Sequence, residues 1–433
     1  MKRPQHDCSD SAFLDDYVTL TSLYDLQVVK IKNKGKGVIA KRSMSADMDI
    51  LEELPLAVWP IKLPSGPIKD IFCENCLHFL PYDGDTTCHL AEKVSSFSPQ
   101  IPSTSGSSNC AGCLNILSSE YDTVASSSNE RITSRNKDYG QPDTYFCCDT
   151  CTIQGLGAKN AADSRNVSAQ DSCFRKHLSL SNVDSSDSTI PSVGGWLEFL
   201  SADALHTLRR RQREVDPMGD CPITLEAFGR IISRIVAISV QMYTEFHLSI
   251  SESYTIAWRS YERLFPSQNL SLIDFNFERA HEILSGTLGD KIENTLGELI
   301  RTHLLSLDTL QLIMEKLILN CQSLNIWGAA HNGELTVLRA AGVYVLQSCF
   351  NHSCDPNCTI SCMWDSTITI TTLRPIAEGE ELTIAYIPTE LSLAERKNLL
   401  LNYLFYCSCS KCLYEEKQVA AATDLNNMLL QDL

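Results

Sequence analysis

Short alternating runs open and close the chain, and a long helical rhythm fills its middle. "LQVVKIKNKGKGVIAKRSMSADMDILEELPLAVWP" (Leu26–Pro60) reads as short β-strands: "VVKI" and "GVIA" flank a turn at Gly35 and Gly37, and "DILEEL" leads to Pro55. From Trp196 to about Leu324 the period is helical. In "ITLEAFGRIISRIVAISVQMYTEF", Phe228, Ile231, Ile232, Ile235 and Ile238 recur at three- and four-residue steps, the stripe of a helical bundle core. After Gly342 strands return. "STITITTL" (Ser366–Leu373) alternates Ile and Thr, and "EELTIAYI" (Glu380–Ile387) puts Leu382, Ile384 and Tyr386 on one strand face. Neither set of strands is large enough to stand alone, so strands from opposite ends of the chain are expected to share a sheet.

Between Phe72 and Ser181 the pattern breaks down. Cysteine pairs alternate with polar tracts such as "VSSFSPQIPSTSGSSN" (Val94–Asn109) and "ASSSNERITSRNKD" (Ala125–Asp138), which are too poor in apolar residues to pack a core and read as loops or disorder. The first 24 residues are similarly polar. Composition then narrows the choices. A formal charge of −17 repels phosphate backbones, which disfavours nucleic acid as the main ligand and suits a basic partner, such as a lysine-rich protein segment. The basic cluster "RRRQR" (Arg209–Arg213) reads as a solvated helix face. No apolar run follows the basic start of "MKRPQHDCSDSAFLDDY", and "IISRIVAISVQMY" (Ile231–Tyr243) is interrupted by Arg234 and too short for a bilayer. A nuclear and cytoplasmic, membrane-free monomer is the expectation. Thiols stay reduced there, so 19 cysteines call for metal rather than disulfides.

Structural zinc takes four soft ligands in a tetrahedron, and C-x2-C turns bring two thiolates to one ion. Cys73/Cys76 and Cys110/Cys113 have that spacing; Cys147/Cys151 in "YFCCDTC", with Cys173 and His177, would complete the sites. Cys88, His89 and Cys148 are spare ligands in the same region. A further cluster, Cys407, Cys409 and Cys412, is one ligand short, and Cys354 in "LQSCFNHSCDPNC" (Leu346–Cys358) is the natural fourth. An ion there would pin the C-terminal segment against Asn351 and His352. The total expected is three zinc ions, or two if the His177 site is defective.

In that order "GKGVIA", "NHSCDPN", "GEELTIAY" and "NYLFYCSCSKC" resemble the SET-domain lysine methyltransferases, and the cysteine-rich insert resembles a MYND zinc module. The combination is similar to the SET and MYND family, over roughly Leu26–Leu413. Within it, the long gap between Cys76 and Cys110 and the short tail after Cys412 fit a branch without a helical-repeat C-terminal domain. One departure stands out. The family module closes its second site with H-x3-C, but here Ser181 occupies that place, so either Cys173 substitutes or the site is imperfect.

The resemblance implies an α+β fold: a SET-domain β-fold of small twisted sheets with a knot-like C-terminal crossing, carrying three additions. These are an inserted MYND-like zinc module (72–181), a helical insert (182–341) and a cysteine-rich post-SET zinc segment (391–413). SET strands would fill 25–71 and 342–390, with a flexible N-terminus at 1–24 and a C-terminal tail at 414–433. It also implies a protein-lysine N-methyltransferase using S-adenosyl-L-methionine on a histone tail or ribosomal protein. Tyr386 would orient the incoming amine and Tyr403 would wall its channel. Lys36, Gly37, Asn351, His352 and Phe405, with Tyr386, would contact the methyl donor. The chemistry needs an aligned in-line displacement and a channel that desolvates an amine whose free pKa is about 10.4. A different outcome is a catalytically inert zinc adaptor whose MYND-like module binds proline-rich peptides; the complete set of Asn351, His352, Tyr386 and tail cysteines argues against it.

Overall fold

The computed structural model describes residues 17–62, 77, 199–219, 221–267, 270, 273–329, 335–362 and 365–431. Cys73, Cys76, Cys110, Cys113, Cys147, Cys151, Cys173 and His177, and with them the expected zinc module, lie outside the described residues.

Among the described residues, a helical turn at 17–20 precedes four strands: β1 (Leu26–Ile31), β2 (Gly35–Ala40), β3 (Asp49–Glu53) and β4 (Ala57–Lys62). The next described elements are six helices: α1 (Ala202–Arg211), α2 (Leu225–Phe246), α3 (Ile250–Glu262), α4 (Phe277–Leu296), α5 (Glu298–Leu304) and α6 (Leu307–Asn320). Then come β5 (Cys321–Ala329), β6 (Leu335–Val343), β7 (Asn351–His352), β8 (Cys358–Ser361), β9 (Ile368–Thr372) and β10 (Glu381–Ile384), closed by α7 (Leu393–Leu400) and α8 (Ser410–Gln431).

Strands from both ends of the chain interleave in every sheet: β1-β2-β10-β7, β3-β9-β8 and β4-β6-β5. The β1–β2 hairpin turns at Gly35, whose φ of +79° is costly for any residue with a Cβ. Tight antiparallel pairing continues from β2 to β10, and β10 in turn pairs in parallel with the two-residue β7, setting Ile384 beside His352.

The helices start where the side chains allow. Ser201, Thr224, Asn276 and Ser306 cap α1, α2, α4 and α6, while Ser249 and Ser392 form reciprocal capping boxes with Glu252 and Glu395. Phe228, Ile231, Ile232 and Ile235 of α2 are fully buried, packing with Leu284, Leu288 and Leu310 and with Trp59 of β4. Burying side chains of this size contributes about 1.5–3 kcal/mol each, which holds the bundle to the sheet.

Three expectations need correcting. Strands were expected only after Gly342, yet the β5–β6 hairpin occupies Cys321–Val343 with nine paired positions. Alternation of buried Leu324 and Ile326, and of Leu338 and Ala340, carries it, in a stretch whose apolar content suits either element. Second, β10 ends at Ile384, so Tyr386 lies past the strand rather than on its face. Third, Arg209 is not simply solvated: it reaches Glu226 through Nε at 2.6 Å and Nη2 at 2.8 Å, and Glu226 also pairs with the fully buried Arg230.

Candidate active site

The site is built where the C-terminal segment folds back over β7. Asn351 projects its amide between two acceptors: Nδ2 donates to the Lys36 carbonyl and to Glu381 Oε1, both at 2.9 Å. Gly37 makes that approach possible. A Cβ there would lie 2.8 Å from Asn351 Nδ2 and 2.4 Å from Ile31 Cγ1, where no side chain fits. Lys36 therefore enters the site through its backbone, while its ammonium turns away to the Tyr17 hydroxyl (3.0 Å) and the Arg263 carbonyl (2.7 Å).

His352 is 6% exposed and held at both ring nitrogens. Nδ1 accepts the Tyr386 backbone N–H at 2.9 Å, so the proton sits on Nε2, which faces Cys354 Sγ at 3.3 Å. Burial pushes the imidazole down to about 4, opposed by the neighbouring Cys409 sulfur, so the ring is neutral at physiological pH.

Tyr386 donates its hydroxyl to the Phe350 carbonyl, and burial raises its phenol above the ordinary value. It stays a protonated donor. Around it stand Tyr403 (ring centroids 4.9 Å apart), His352 (5.4 Å) and Phe405 (6.5 Å), with His352 and Phe405 6.0 Å apart. These are separations of tilted and edge-on rings packed as one aromatic cluster. A narrow groove, open to solvent, is lined by Tyr386 and Tyr403 together with Leu319, Asn320, Cys321, Gln322, Gln347 and Ser348.

Cys354, Cys407, Cys409 and Cys412 converge, with all four sulfurs within 4.8 Å of one another. A tetrahedral zinc with Zn–S bonds near 2.3 Å needs sulfurs about 3.8 Å apart, and Cys354 and Cys412 are 3.5 Å apart. The donor set fits zinc. Arg396, 1% exposed, sets Nη2 3.8 Å from Cys412 Sγ and 2.5 Å from Glu415, placing a fixed positive charge beside the thiols.

The structure thus brings together Gly37, Asn351, His352, Cys354, Tyr386, Tyr403, Phe405, Cys407, Cys409 and Cys412, and Lys36 by its carbonyl. Two other contributors were not singled out from the sequence. Glu53 accepts the backbone N–H groups of Val345, Leu346 and Gln347 at 2.7–2.8 Å, anchoring the turn that precedes Asn351. Asn357 ties β10 to the "NHSCDPN" loop through Thr383 N (2.8 Å) and the Glu381 carbonyl (2.8 Å). The second of these had a signal, since Asn357 lies inside the quoted motif.

Comparison with known proteins agrees in kind. The SET domain family model matches residues 35–387. The chain is 42% identical over 99 residues to a SET and MYND domain-containing protein of Dictyostelium discoideum, covering 22% of this chain and 19% of that protein. It is 44% identical over 79 residues to the histone-lysine N-methyltransferase ATXR2 of Arabidopsis thaliana, covering 18% and 17% of the two chains. Against the human protein-lysine N-trimethyltransferase SMYD5 it is 43% identical over 91 residues, covering 20% and 22%. The matched stretches span about a fifth of the length of these curated relatives.

Proposed function

The chain belongs to the SET-domain family, and from that premise we propose that it is a protein-lysine N-methyltransferase acting on a basic protein. Histone tails and ribosomal proteins are the substrate classes proposed. S-adenosyl-L-methionine, when bound, supplies an electrophilic methyl group on a sulfonium. Asn351, His352 and Phe405 are the residues proposed to hold it, with the aromatic faces of His352, Tyr386 and Phe405 suited to the positive sulfur. Tyr386 and Tyr403 are proposed to line the route of the amine. Their rings strip water from the lysine and so favour its neutral, nucleophilic form. Alignment of amine and methyl supplies much of the remaining rate, as in any bimolecular step made effectively unimolecular.

The observation that carries this reading is the link between the two halves of the site. One residue, Tyr386, donates its backbone N–H to His352 and its hydroxyl to the carbonyl before Asn351. Donor side and acceptor side are thereby held in one frame. Zinc on Cys354, Cys407, Cys409 and Cys412 would brace that frame without joining the chemistry, its binding energy serving as folding energy.

The test is methyl transfer. Purified protein is incubated with labelled S-adenosyl-L-methionine and a mixture of histones and ribosomal proteins, beside Tyr386→Phe and His352→Ala variants. Wild type labels at least one protein, and each variant falls by about a hundredfold. Absence of label from wild type on every protein would favour the zinc adaptor for proline-rich peptides instead.

A further inference from the structure

Gln347 lines the cleft beside Tyr386 and Tyr403 and is 7% exposed. The orientation of its amide follows from a short relay. Gln322 Nε2 donates to the Ser323 carbonyl at 3.1 Å, which leaves Gln322 Oε1 facing Gln347 Nε2 at 3.5 Å. Gln347 Oε1 is then the end of the relay, buried and with no hydrogen-bond partner among the described residues. Its backbone is fixed as well, since Gln347 N donates to Glu53 Oε2 at 2.8 Å. A buried acceptor without a donor is uncommon enough to require a reason.

Neighbouring polar groups on the cleft wall are already engaged. Asn320 Nδ2 donates to the Phe265 and Lys316 carbonyls, the Ser348 hydroxyl to the Tyr344 carbonyl, and the Tyr386 hydroxyl to Phe350. The lining includes no carboxylate. An uncharged acceptor suits an amine that must be neutral to react, whereas a carboxylate would hold it as ammonium. Resting on the methyltransferase reading, we propose that Gln347 is an amine-positioning residue whose Oε1 accepts an N–H from the incoming lysine ε-amine. That bond turns the nitrogen lone pair toward the methyl. The lone pair forms the new N–C bond as the C–S bond breaks, sulfur keeps the bonding pair, and the ammonium product loses its proton to water.

The assignment separates the successive methyl transfers. A neutral unmethylated or monomethylated amine still carries an N–H for Gln347; a neutral dimethylated amine carries none. The experiment uses the full chain and peptides built around a lysine that mass spectrometry finds labelled, made in unmethylated, monomethylated and dimethylated forms. Gln347→Leu is expected to lower kcat/KM about tenfold on the first two forms and leave the dimethylated peptide unchanged. Gln347→Glu restores an acceptor but moves the optimum pH upward, because the carboxylate retains the ammonium. Calorimetric binding of S-adenosylhomocysteine and a thermal melt confirm that each variant is folded. An active wild type whose Gln347→Leu variant loses activity equally on every peptide, or on none, overturns this assignment alone. A wild type inactive on every substrate removes the methyltransferase reading and this assignment together.

Discussion

Glu53 is a partly buried carboxyl group tied to three backbone amides, and those two facts pull in opposite directions. Desolvation raises its pKa and the amides lower it; desolvation wins, placing the group at about 7 against an ordinary 4.5. The folded state therefore binds a proton that the unfolded chain releases between these values. Stability from this group is complete below about 4.5 and is lost as the pH rises through about 7. The buried, neutral His352 works the other way, adding stability as the pH rises from about 4 toward its ordinary 6.5. The two oppose each other in mildly acid solution, so a wild-type profile alone would look flat. Glu53→Gln separates them. The stability of wild type relative to that variant, from urea unfolding, should fall by about 3 kcal/mol between pH 5 and 8. A difference that does not vary with pH would show that Glu53 is charged throughout.

At the scale of elements, the C-terminal segment is the least self-sufficient part of the site. Between Leu393 and Leu413 its buried apolar anchors are few, chiefly Leu400 with Ile387, and the four thiols stand in for a core. Removing the zinc proposed for these thiols should loosen this segment while leaving α1 to α6 intact, because their core is separate and large. After chelation, limited proteolysis is expected to gain a new cut between Tyr403 and Cys412 that the untreated protein resists, with helical circular dichroism from the bundle retained; Cys412→Ser should show the same new cut. Simultaneous collapse of both regions would instead make the cluster part of one cooperative unit. These local features were legible in the chain because ligand spacing and motif order are local: Cys407, Cys409 and Cys412 lie within six residues. The α2 stripe was legible for the same reason. The β5–β6 hairpin was not, since helix and strand compete for its apolar positions until β4 pairs with β6.

At the scale of the whole molecule, the site is assembled from segments with no sequence relationship to one another. The cleft wall at Leu319–Gln322 comes from the junction of α6 and β5, and Glu53 reaches its partners across nearly three hundred residues. Nothing in "DILEEL" distinguishes Glu53 from a solvated strand residue, because its role exists only once β3 has paired with β9. Charge is a property of the same scale, and the chain carries −17. On the proposed methyltransferase reading, a field of that sign would raise the local concentration of a lysine-rich substrate and orient its approach, but would add little once the amine reached Tyr386 and Tyr403. Salt should consequently act on capture rather than on chemistry. Raising the ionic strength shortens the Debye length from about 10 Å at 0.1 M to about 3 Å at 1 M, which screens the field before it screens any contact within the cleft. KM for a basic protein substrate is expected to rise about tenfold over this range while kcat stays constant. A short peptide with a single lysine should show almost none of that rise. If kcat carried the salt dependence, or if peptide and protein responded alike, the acidity would reflect solubility and the site would select its substrate by contact alone.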